Sequence, residues 1–258
     1  MEQELVSIIM PSYQTADFII ESIESVQAQT YRNWELIIVD DCSEDQTEQV
    51  VEKHIKETNE SRIRFLKNEQ NSGAAVSRNF ALREAKGRYI AFLDSDDLWE
   101  PEKLEKQINF MREHNYAFTY TKYQEIDEES KPLGIMVSGP EHINKTDMCR
   151  YCWPGCLTVM YDKEKVGLIQ IPDIRKNNDY AMWIMAIQKS DCYLLDECLG
   201  RYRKRGGSIS NHSYTKLIKW HYKLWMLLLD GKTIKALHLT MLNLLFGAWK
   251  KVRYRKEI

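Results

Sequence analysis

The segment Val6-Ser7-Ile8-Ile9-Met10-Pro11-Ser12-Tyr13 decides the fold class, because an apolar run gives way there to a polar loop. Residues 5–10 are mostly apolar and rich in β-branched side chains, and Pro11 marks their end, which predicts a buried β-strand. After the loop, apolar residues recur at helical spacing at Phe18, Ile19, Ile23 and Val26. The start of the chain therefore predicts a strand, a polar loop and a helix in that order.

The same unit repeats as far as residue 115. Strands are predicted at residues 35–39, 63–66 and 89–93, and helices at residues 45–57, at residues 73–85 and after Pro101. This alternation predicts an α/β protein with a doubly wound, mostly parallel sheet flanked by helices. Ligands of such sheets bind beyond the carboxyl ends of the strands, so we expect the loops at residues 11–13, 40–43 and 94–97 to meet at one edge.

Composition and charge narrow the class of protein. A chain of 258 residues with 43% hydrophobic and 29% charged residues is typical of a globular protein with one active site, not of a disordered one. The net charge of -2 hides a basic C-terminal part, since residues 201–258 carry +12 and the remainder -14. There is neither an overall basic excess nor a recognisable nucleic-acid module, so nucleic acid is not an expected partner. Glu2 and Glu4 precede the first apolar segment, which argues against a signal peptide and for the cytoplasm.

The six cysteines are expected to be free thiols. Cys149, Cys152 and Cys156 could suggest a zinc site, but a structural zinc normally takes four ligands from paired motifs. The nearest further candidate, His142, has no partner in the sequence. Thiols in the core or in loops are therefore the favoured interpretation.

The acidic run Asp94-Ser95-Asp96-Asp97 directly follows the apolar segment at residues 89–93. Carboxylates this close together repel one another unless a cation or hydrogen-bond donors neutralise them. A divalent metal is one solution. An acidic turn that caps the helix near Pro101 is the other, and the spacing alone leaves both open.

Four motifs occur in order: Val6 to Tyr13, then Ile38-Val39-Asp40-Asp41-Cys42-Ser43, then Asn71-Ser72-Gly73 with Arg78-Asn79, then Phe92 to Asp97. In this combination the chain resembles glycosyltransferase family 2. The resemblance implies a GT-A fold and an inverting enzyme that takes a sugar from a nucleotide diphosphate donor.

The resemblance also implies roles for individual residues in donor binding. Pro11 and Tyr13 are expected to border the nucleobase, with Asp41 hydrogen-bonded to uracil and Asp40 supporting the loop. An imide N-H is present in uracil and absent from cytosine, so a carboxylate here favours a UDP-sugar. Ordinary loop packing is the alternative for Tyr13.

The third and fourth motifs imply further site residues. Gly73 is expected to let the backbone approach the nucleotide and Arg78 to reach it, unless Arg78 forms a helical surface ion pair. Asp96 matches the metal ligand, Mn2+ or Mg2+, and Asp94 and Ser95 are expected near the ribose.

The expected catalytic base is Asp179. In the family the base is commonly the second residue of a Glu-Asp pair that opens a helix ahead of an apolar residue and Trp; here the stretch reads Asn178-Asp179-Tyr180-Ala181-Met182-Trp183. The Glu of the pair is missing, and a role for Asp179 as the helix N-cap remains an alternative.

A late loop is expected to close over the donor. Tyr202-Arg203 followed by residues 206–210 resembles that loop, and Arg203, Lys204 and Arg205 are expected to grip the diphosphate. Contact with a membrane is the alternative for these cations.

The chain is expected to have three parts: a nucleotide-sugar-binding half at residues 1–115, an acceptor-side half at residues 116–213, and basic, aromatic helices at residues 214–258. The apolar stretch at residues 236–249 is shorter than the ~20 residues of a membrane span. The C-terminal helices are therefore expected to bind peripherally at the inner face of the cell membrane, with packing on the core or a homo-oligomer interface as alternatives.

The leading hypothesis is a non-processive enzyme that adds one sugar to a glycan or polyprenyl-linked acceptor in cell-surface polysaccharide biosynthesis. The Gln-x-x-Arg-Trp motif of processive relatives is absent from the sequence. A sugar nucleotidyltransferase would open with a Gly-rich phosphate loop, which Pro11-Ser12-Tyr13-Gln14 is not. A catalytically inactive glycan-binding or scaffold protein is the third hypothesis, and the presence of Asp41, Asp94, Asp96 and Asp179 argues against it.

Overall fold

The computed structural model describes residues 4–206 and 214–258. Most of the predicted loop at residues 206–210 lies outside the described residues. Within the described residues the strands are β1 Val6–Ser12, β2 Trp34–Asp40, β3 Ile63–Lys67, β4 Tyr89–Phe92, β5 Leu98–Trp99, β6 Phe118–Ile126, β7 Pro132–Val137, β8 His142–Ile143, β9 Met160–Asp162, β10 Cys192–Arg203 and β11 Arg255–Glu257. The helices there are α1 Ile19–Gln27, α2 Thr47–Thr58, α3 Ala74–Glu84, α4 Lys103–Glu113, α5 Lys145–Arg150, α6 Lys163–Val166, α7 Asn178–Ala186, α8 Tyr214–Leu228 and α9 Thr233–Arg253.

The sheet has a parallel part and a largely antiparallel part. Strands β3, β2, β1 and β4 lie side by side and parallel, as the alternation of strands and helices predicts. Beyond β4 the order continues through β9, β6, β7 and β11, all joined antiparallel. Strand β10 runs parallel to β6 and pairs antiparallel with the short strands β5 and β8. Because β1, β2 and β4 end at one edge, the loops that follow them converge there.

Apolar side chains cover both faces of the sheet. In β1, Ile8 and Met10 pack on one face, where α1, α2 and α4 also pack, while Ile9 faces the other. Every residue of β1 and β2 is buried, which explains their nearly continuous apolar sequence. The second face is covered by α3, α7 and the C-terminal helices, so the protein has helix layers on both sides of its sheet.

The C-terminal helices α8 and α9 are part of the core on that second face. Leu224 and Trp225 of α8 and Ala236 of α9 are almost fully buried. Trp225 donates a hydrogen bond from Nε1 to Oδ1 of Asn243 at 2.8 Å. Packing of this segment on the core, the alternative to membrane binding, is therefore present. Within the described residues no helix combines the length and the hydropathy that crossing a bilayer requires.

Candidate active site

Three loops meet at the carboxyl edge of the parallel strands, and hydrogen bonds connect them. The backbone N-H of Gln14, after β1, donates to Oγ of Ser43, after β2, at 2.8 Å. The hydroxyl of Thr15 donates to Oγ of Ser95, after β4, at 3.1 Å, and contacts Oγ of Ser12 at 2.9 Å. The expected convergence is thus observed. Ser95 is buried in this chain of hydroxyls.

The residues expected at the nucleobase lie on two of these loops. Pro11 is buried within β1, whereas Tyr13, just beyond the strand, leaves 42% of its surface exposed. An exposed ring at a strand end has a free face on which a planar base can stack. Asp40 accepts hydrogen bonds from the hydroxyl of Ser43 at 2.6 Å and from its N-H at 2.8 Å, which fixes the second loop.

Asp41 is already engaged with the loop that opens α3. Its Oδ1 accepts from Asn68 Nδ2 at 2.8 Å and from the Ser72 N-H at 2.9 Å, and its Oδ2 accepts from the Gly73 N-H at 2.7 Å. A carboxylate has about four acceptor positions, so one is unused in Asp41, which is 4% exposed. Gly73 has a φ of +90°, a conformation that side chains other than glycine rarely adopt, and this explains the glycine at the start of α3.

Arg78 stands at the centre of the site and bridges two distant parts of the chain. One terminal nitrogen donates to Oδ1 of Asp94 and the other to Oδ1 of Asn178. Its side chain is 6% exposed, and its Nε has no hydrogen-bond partner among the described residues. The surface ion pair considered for Arg78 is therefore excluded, because this guanidinium is buried.

The acidic run carries excess negative charge in a desolvated position. Burial raises the pKa of Asp96, and burial together with Asp96 and Asp94 raises the pKa of Asp97 well above its ordinary value. Asp97 accepts from the backbone N-H of Arg203 at 2.9 Å, so it stabilises the β10 end instead of facing a ligand. Asp94 and Asp96 are partly exposed, and each uses one carboxylate oxygen in an ion pair, Asp94 with Arg78 and Asp96 with Arg205.

The carboxylate oxygens of Asp94 and Asp96 suit a divalent metal that takes its other ligands from a diphosphate. The described residues contain no cluster of three or more His, Cys, Asp or Glu side chains that could hold a metal by themselves. Mg2+ usually takes only one or two protein carboxylates and completes its shell with phosphate oxygens and water. The partly exposed, oxygen-only pair Asp94 and Asp96 matches that pattern, and Arg205 Nε lies 2.8 Å from Asp96 Oδ2 as the local cation.

Asp179 lies in the first turn of α7, next to Arg78. The helix begins at Asn178, with Asn177 in the N-cap position, so Asp179 is not the N-cap. Its Oδ1 accepts from the N-H of Tyr180 at 2.8 Å. Burial raises its pKa, while the charge of Arg78 opposes that rise. A carboxylate with a raised pKa is a better proton acceptor than an ordinary aspartate.

The three cations at the end of β10 have different surroundings. Arg203 is fully buried: Nε donates to the Asp96 carbonyl at 2.7 Å, and its terminal nitrogens donate to the Glu128 carbonyl and to Glu21 Oε2 at 2.9 and 2.7 Å. The predicted grip of Arg203 on the diphosphate is therefore not retained, because all three guanidinium nitrogens are occupied. Lys204 and Arg205 are more exposed and keep that role as a prediction.

Sequence reasoning did not identify the polar residues that hold the helix of Asp179 in place. Asn243 on α9 donates from Nδ2 to the Tyr180 hydroxyl at 3.0 Å, and that hydroxyl donates to the Met148 carbonyl at 2.8 Å. Asn243 is 1% exposed and also binds the carbonyls of residues 149 and 150. A single Asn within an apolar helix is the one sequence signal that indicates such a role.

Comparison with known proteins gives consistent matches. The family model described as "Glycosyl transferase family 2" matches residues 7–157. The glycosyltransferase TuaG of Bacillus subtilis (strain 168), assigned to teichuronic acid biosynthesis, is 40% identical over 98% of both chains. WfgD of Escherichia coli, a UDP-Glc:alpha-D-GlcNAc-diphosphoundecaprenol beta-1,3-glucosyltransferase, is 40% identical over 84% of both chains.

Solved structures share the fold at lower identity. S. aureus TarS 1-349 in complex with UDP-GlcNAc superposes with a TM-score of 0.70 at 22% identity, over 92% of this chain and 70% of that one. The mannosyltransferase PcManGT from Pyrobaculum calidifontis, in complex with GDP-Man and Mn2+, has a TM-score of 0.62 at 15% identity, over 96% of this chain and 76% of that one. These likenesses confirm the GT-A fold.

Proposed function

The chain belongs to glycosyltransferase family 2, and from that membership and the geometry of the site we propose that it is a non-processive, inverting enzyme that moves one sugar from a UDP-sugar to a glycan or polyprenyl-linked acceptor in cell-surface polysaccharide biosynthesis. The observation that carries the proposal is the position of Arg78. It joins the acidic run after β4 to the start of the helix that bears Asp179. Donor-binding and base-bearing elements thus form a single site.

The donor is held by the three loops at the sheet edge. The exposed ring of Tyr13 offers a stacking face, and the remaining acceptor position of Asp41 suits the imide N-H of uracil. The UDP-GlcNAc bound by TarS and the UDP-Glc named for WfgD support the same donor class here.

Charge on the diphosphate is balanced by side chains at the carboxyl ends of β4 and β10. Asp96, with Asp94 beside it, would hold Mn2+ or Mg2+, which when bound supplies positive charge to the leaving UDP. Arg205 adds a partly exposed cation beside Asp96, and Lys204, which lies 3.7 Å from Glu125, adds another at the end of β10. The Mn2+ in the PcManGT complex supports a divalent metal in this fold.

Asp179 acts as the base. The acceptor hydroxyl gives its proton to the Asp179 carboxylate as its oxygen bonds to the anomeric carbon, and the bond from that carbon to the UDP oxygen breaks with its electron pair leaving on UDP. Attack on the face opposite to UDP inverts the configuration. The N-H of Tyr180 holds this carboxylate in place, and both this hydrogen bond and the charge of Arg78 oppose the rise in its pKa that burial causes.

The acceptor is proposed to be lipid-linked, and the enzyme to work peripherally at the inner face of the cell membrane. The diphosphoundecaprenol acceptor named for WfgD supports this assignment, since 84% of both chains align. The absence of the Gln-x-x-Arg-Trp motif supports a single addition per binding event.

A panel of UDP-sugars with Mn2+ tests the proposal, with UDP release followed in the presence and absence of a polyprenyl-linked acceptor. Asp179→Asn is expected to bind donor and metal normally and to transfer sugar at least ~100-fold more slowly, as the loss of a general base predicts. Near-normal turnover in this variant, or no UDP release with any donor in the wild type, contradicts the proposal.

A further inference from the structure

Helix α9 has a second apolar face, directed away from the core. Its buried residues Ala236, Leu239, Thr240 and Asn243 lie on one side. At about 100° per residue, the opposite side carries a row of large apolar side chains along about 27 Å of helix. This row, the outer stripe, consists of Ile234, Leu237, Met241, Leu245, Trp249 and Val252, which are between 46% and 86% exposed. Since a surface helix normally needs only one apolar face, an exposed second one marks an interaction surface.

Positive charge borders the outer stripe on both sides. By the same spacing, Lys235 and Arg253 fall along one margin and Lys251 along the other, and all three are exposed. Helices α8 and α9 contain no Asp or Glu. Lys232, Lys235 and His238 also line a shallow hollow of about 620 Å³ beside Ile234. An apolar stripe between cationic margins is typical of a helix that lies in the interface of an anionic bilayer.

A second copy of the chain fits this face poorly. A two-fold dimer through the outer stripe would bring the same surface of both copies together, and so set cationic margin against cationic margin. Neither helix supplies a carboxylate to neutralise them. An anionic bilayer offers both an apolar interior and negative headgroups. We propose that the outer stripe of α9 docks the enzyme on an anionic lipid bilayer.

The docking face lies close to the candidate base. On the inner side of α9, Asn243 binds the hydroxyl of Tyr180, the residue that follows Asp179. A helix with its side chains is about 10 to 12 Å across, so the helix of Asp179 lies about one helix thickness from the bilayer surface. This inference rests on the proposed function. Docking on the bilayer would bring a lipid-linked acceptor next to the candidate base.

Vesicle flotation with the full-length protein tests the inference independently of catalysis. The wild type is expected to bind vesicles of phosphatidylcholine with phosphatidylglycerol at about 50 mM salt, and to bind weakly to phosphatidylcholine alone. Leu237→Glu and Leu245→Glu are each expected to weaken binding at least tenfold. The matched control is Leu168→Glu, since Leu168 is 51% exposed and Leu245 59%, and it should bind within about twofold of the wild type.

Several outcomes overturn the inference. One is wild-type protein that stays unbound on the anionic vesicles, and another is stripe variants that bind as tightly as the wild type. If sedimentation velocity shows a wild-type dimer that both stripe variants dissociate, the occupant is a second copy. Unchanged melting temperatures guard against misfolding. Transfer to a water-soluble acceptor should persist in the stripe variants, so a transfer failure in the wild type would contradict the proposed function alone.

Discussion

Arg78 and Arg203 are both buried arginines beside the acidic run after β4, yet their surroundings differ. Arg203 donates from all three nitrogens, and its acceptors are the Asp96 carbonyl, the Glu128 carbonyl and Ser130 hydroxyl after β6, and the Glu21 carboxylate. Arg78 contacts only two side-chain oxygens, and its Nε has no partner among the described residues. All three nitrogens of Arg203 tie segments of the fold together, whereas the partners of Arg78 are two side chains of the candidate site. The partners of each arginine therefore indicate its role.

The largest effect is expected on stability, from Arg203→Met. Three part-buried acceptors, the carbonyls of Asp96 and Glu128 and the carboxylate of Glu21, would lose their donor at about 1 kcal/mol each, so we expect about 3 kcal/mol of destabilisation. For a chain of this size that corresponds to a melting temperature lower by roughly 6 to 12 °C. Lys204→Met is the matched control, because its ammonium is half-exposed and lies 3.7 Å from Glu125. Equal melting temperatures for the two variants would show that Arg203 does not stabilise the fold more than Lys204 does.

Arg78→Met is expected to act mainly on catalysis. Its loss leaves Asp94 able to be hydrated but leaves the buried Asn178 Oδ1 without its donor, so we expect about 1 kcal/mol of destabilisation, well below that of Arg203→Met. We expect kcat/KM to fall about 100-fold, the order of magnitude for removing one preorganised charged donor. Arg83→Met on the same helix is the control, since Arg83 is exposed and donates to Gln170 at the protein surface. A stability loss as large as that of Arg203→Met would show that Arg78, like Arg203, acts mainly to stabilise the fold.

The pH dependence of kcat offers a test of the electrostatic interaction between Arg78 and Asp179. Burial raises the pKa of Asp179 and Arg78 opposes this, so removing Arg78 should raise the pKa further. A base must be ionised, and activity therefore falls as the pH drops through its pKa. In Arg78→Met the acid limb of kcat should move to higher pH relative to Arg83→Met. Superimposable limbs would show that Asp179 is not the titrating base.

The smallest effect, a change in the affinity for Mn2+ and UDP, is expected from Arg205→Gln. Arg205 pairs with Asp96 in a partly exposed position, where such a pair is worth about 0.2 to 1 kcal/mol. Freeing Asp96 should therefore strengthen Mn2+ binding without nucleotide by up to about fivefold. If Arg205 also contacts the diphosphate, UDP affinity at saturating Mn2+ should fall. Paired titrations with each ligand separate the two effects, and no change in either excludes Arg205 from the site.

The edge strands show where the sequence pattern gave no signal. Strand β7, Pro132–Val137, is mostly exposed or half-buried, and β11, Arg255–Glu257, consists of three exposed charged residues. Their pairing is antiparallel at the sheet edge, where neither face needs apolar side chains. Trp225 lies in the segment expected to bind a membrane, yet it is buried in the core, because aromatic residues are common both in cores and at membrane interfaces.

By itself the sequence determined the parallel strands β1 to β4, the helices between them, the polar loops at one sheet edge and the position of Asp179 at the start of a helix. Those features follow from local periodicity, since a strand or helix must present its apolar residues to a core. Tertiary structure alone decided which charges are free to act. Arg78 meets Asn178 across 100 residues of chain, and Arg203 meets Glu21 across 182. Whether a buried donor is satisfied depends on segments that only folding brings together, and no local pattern records it.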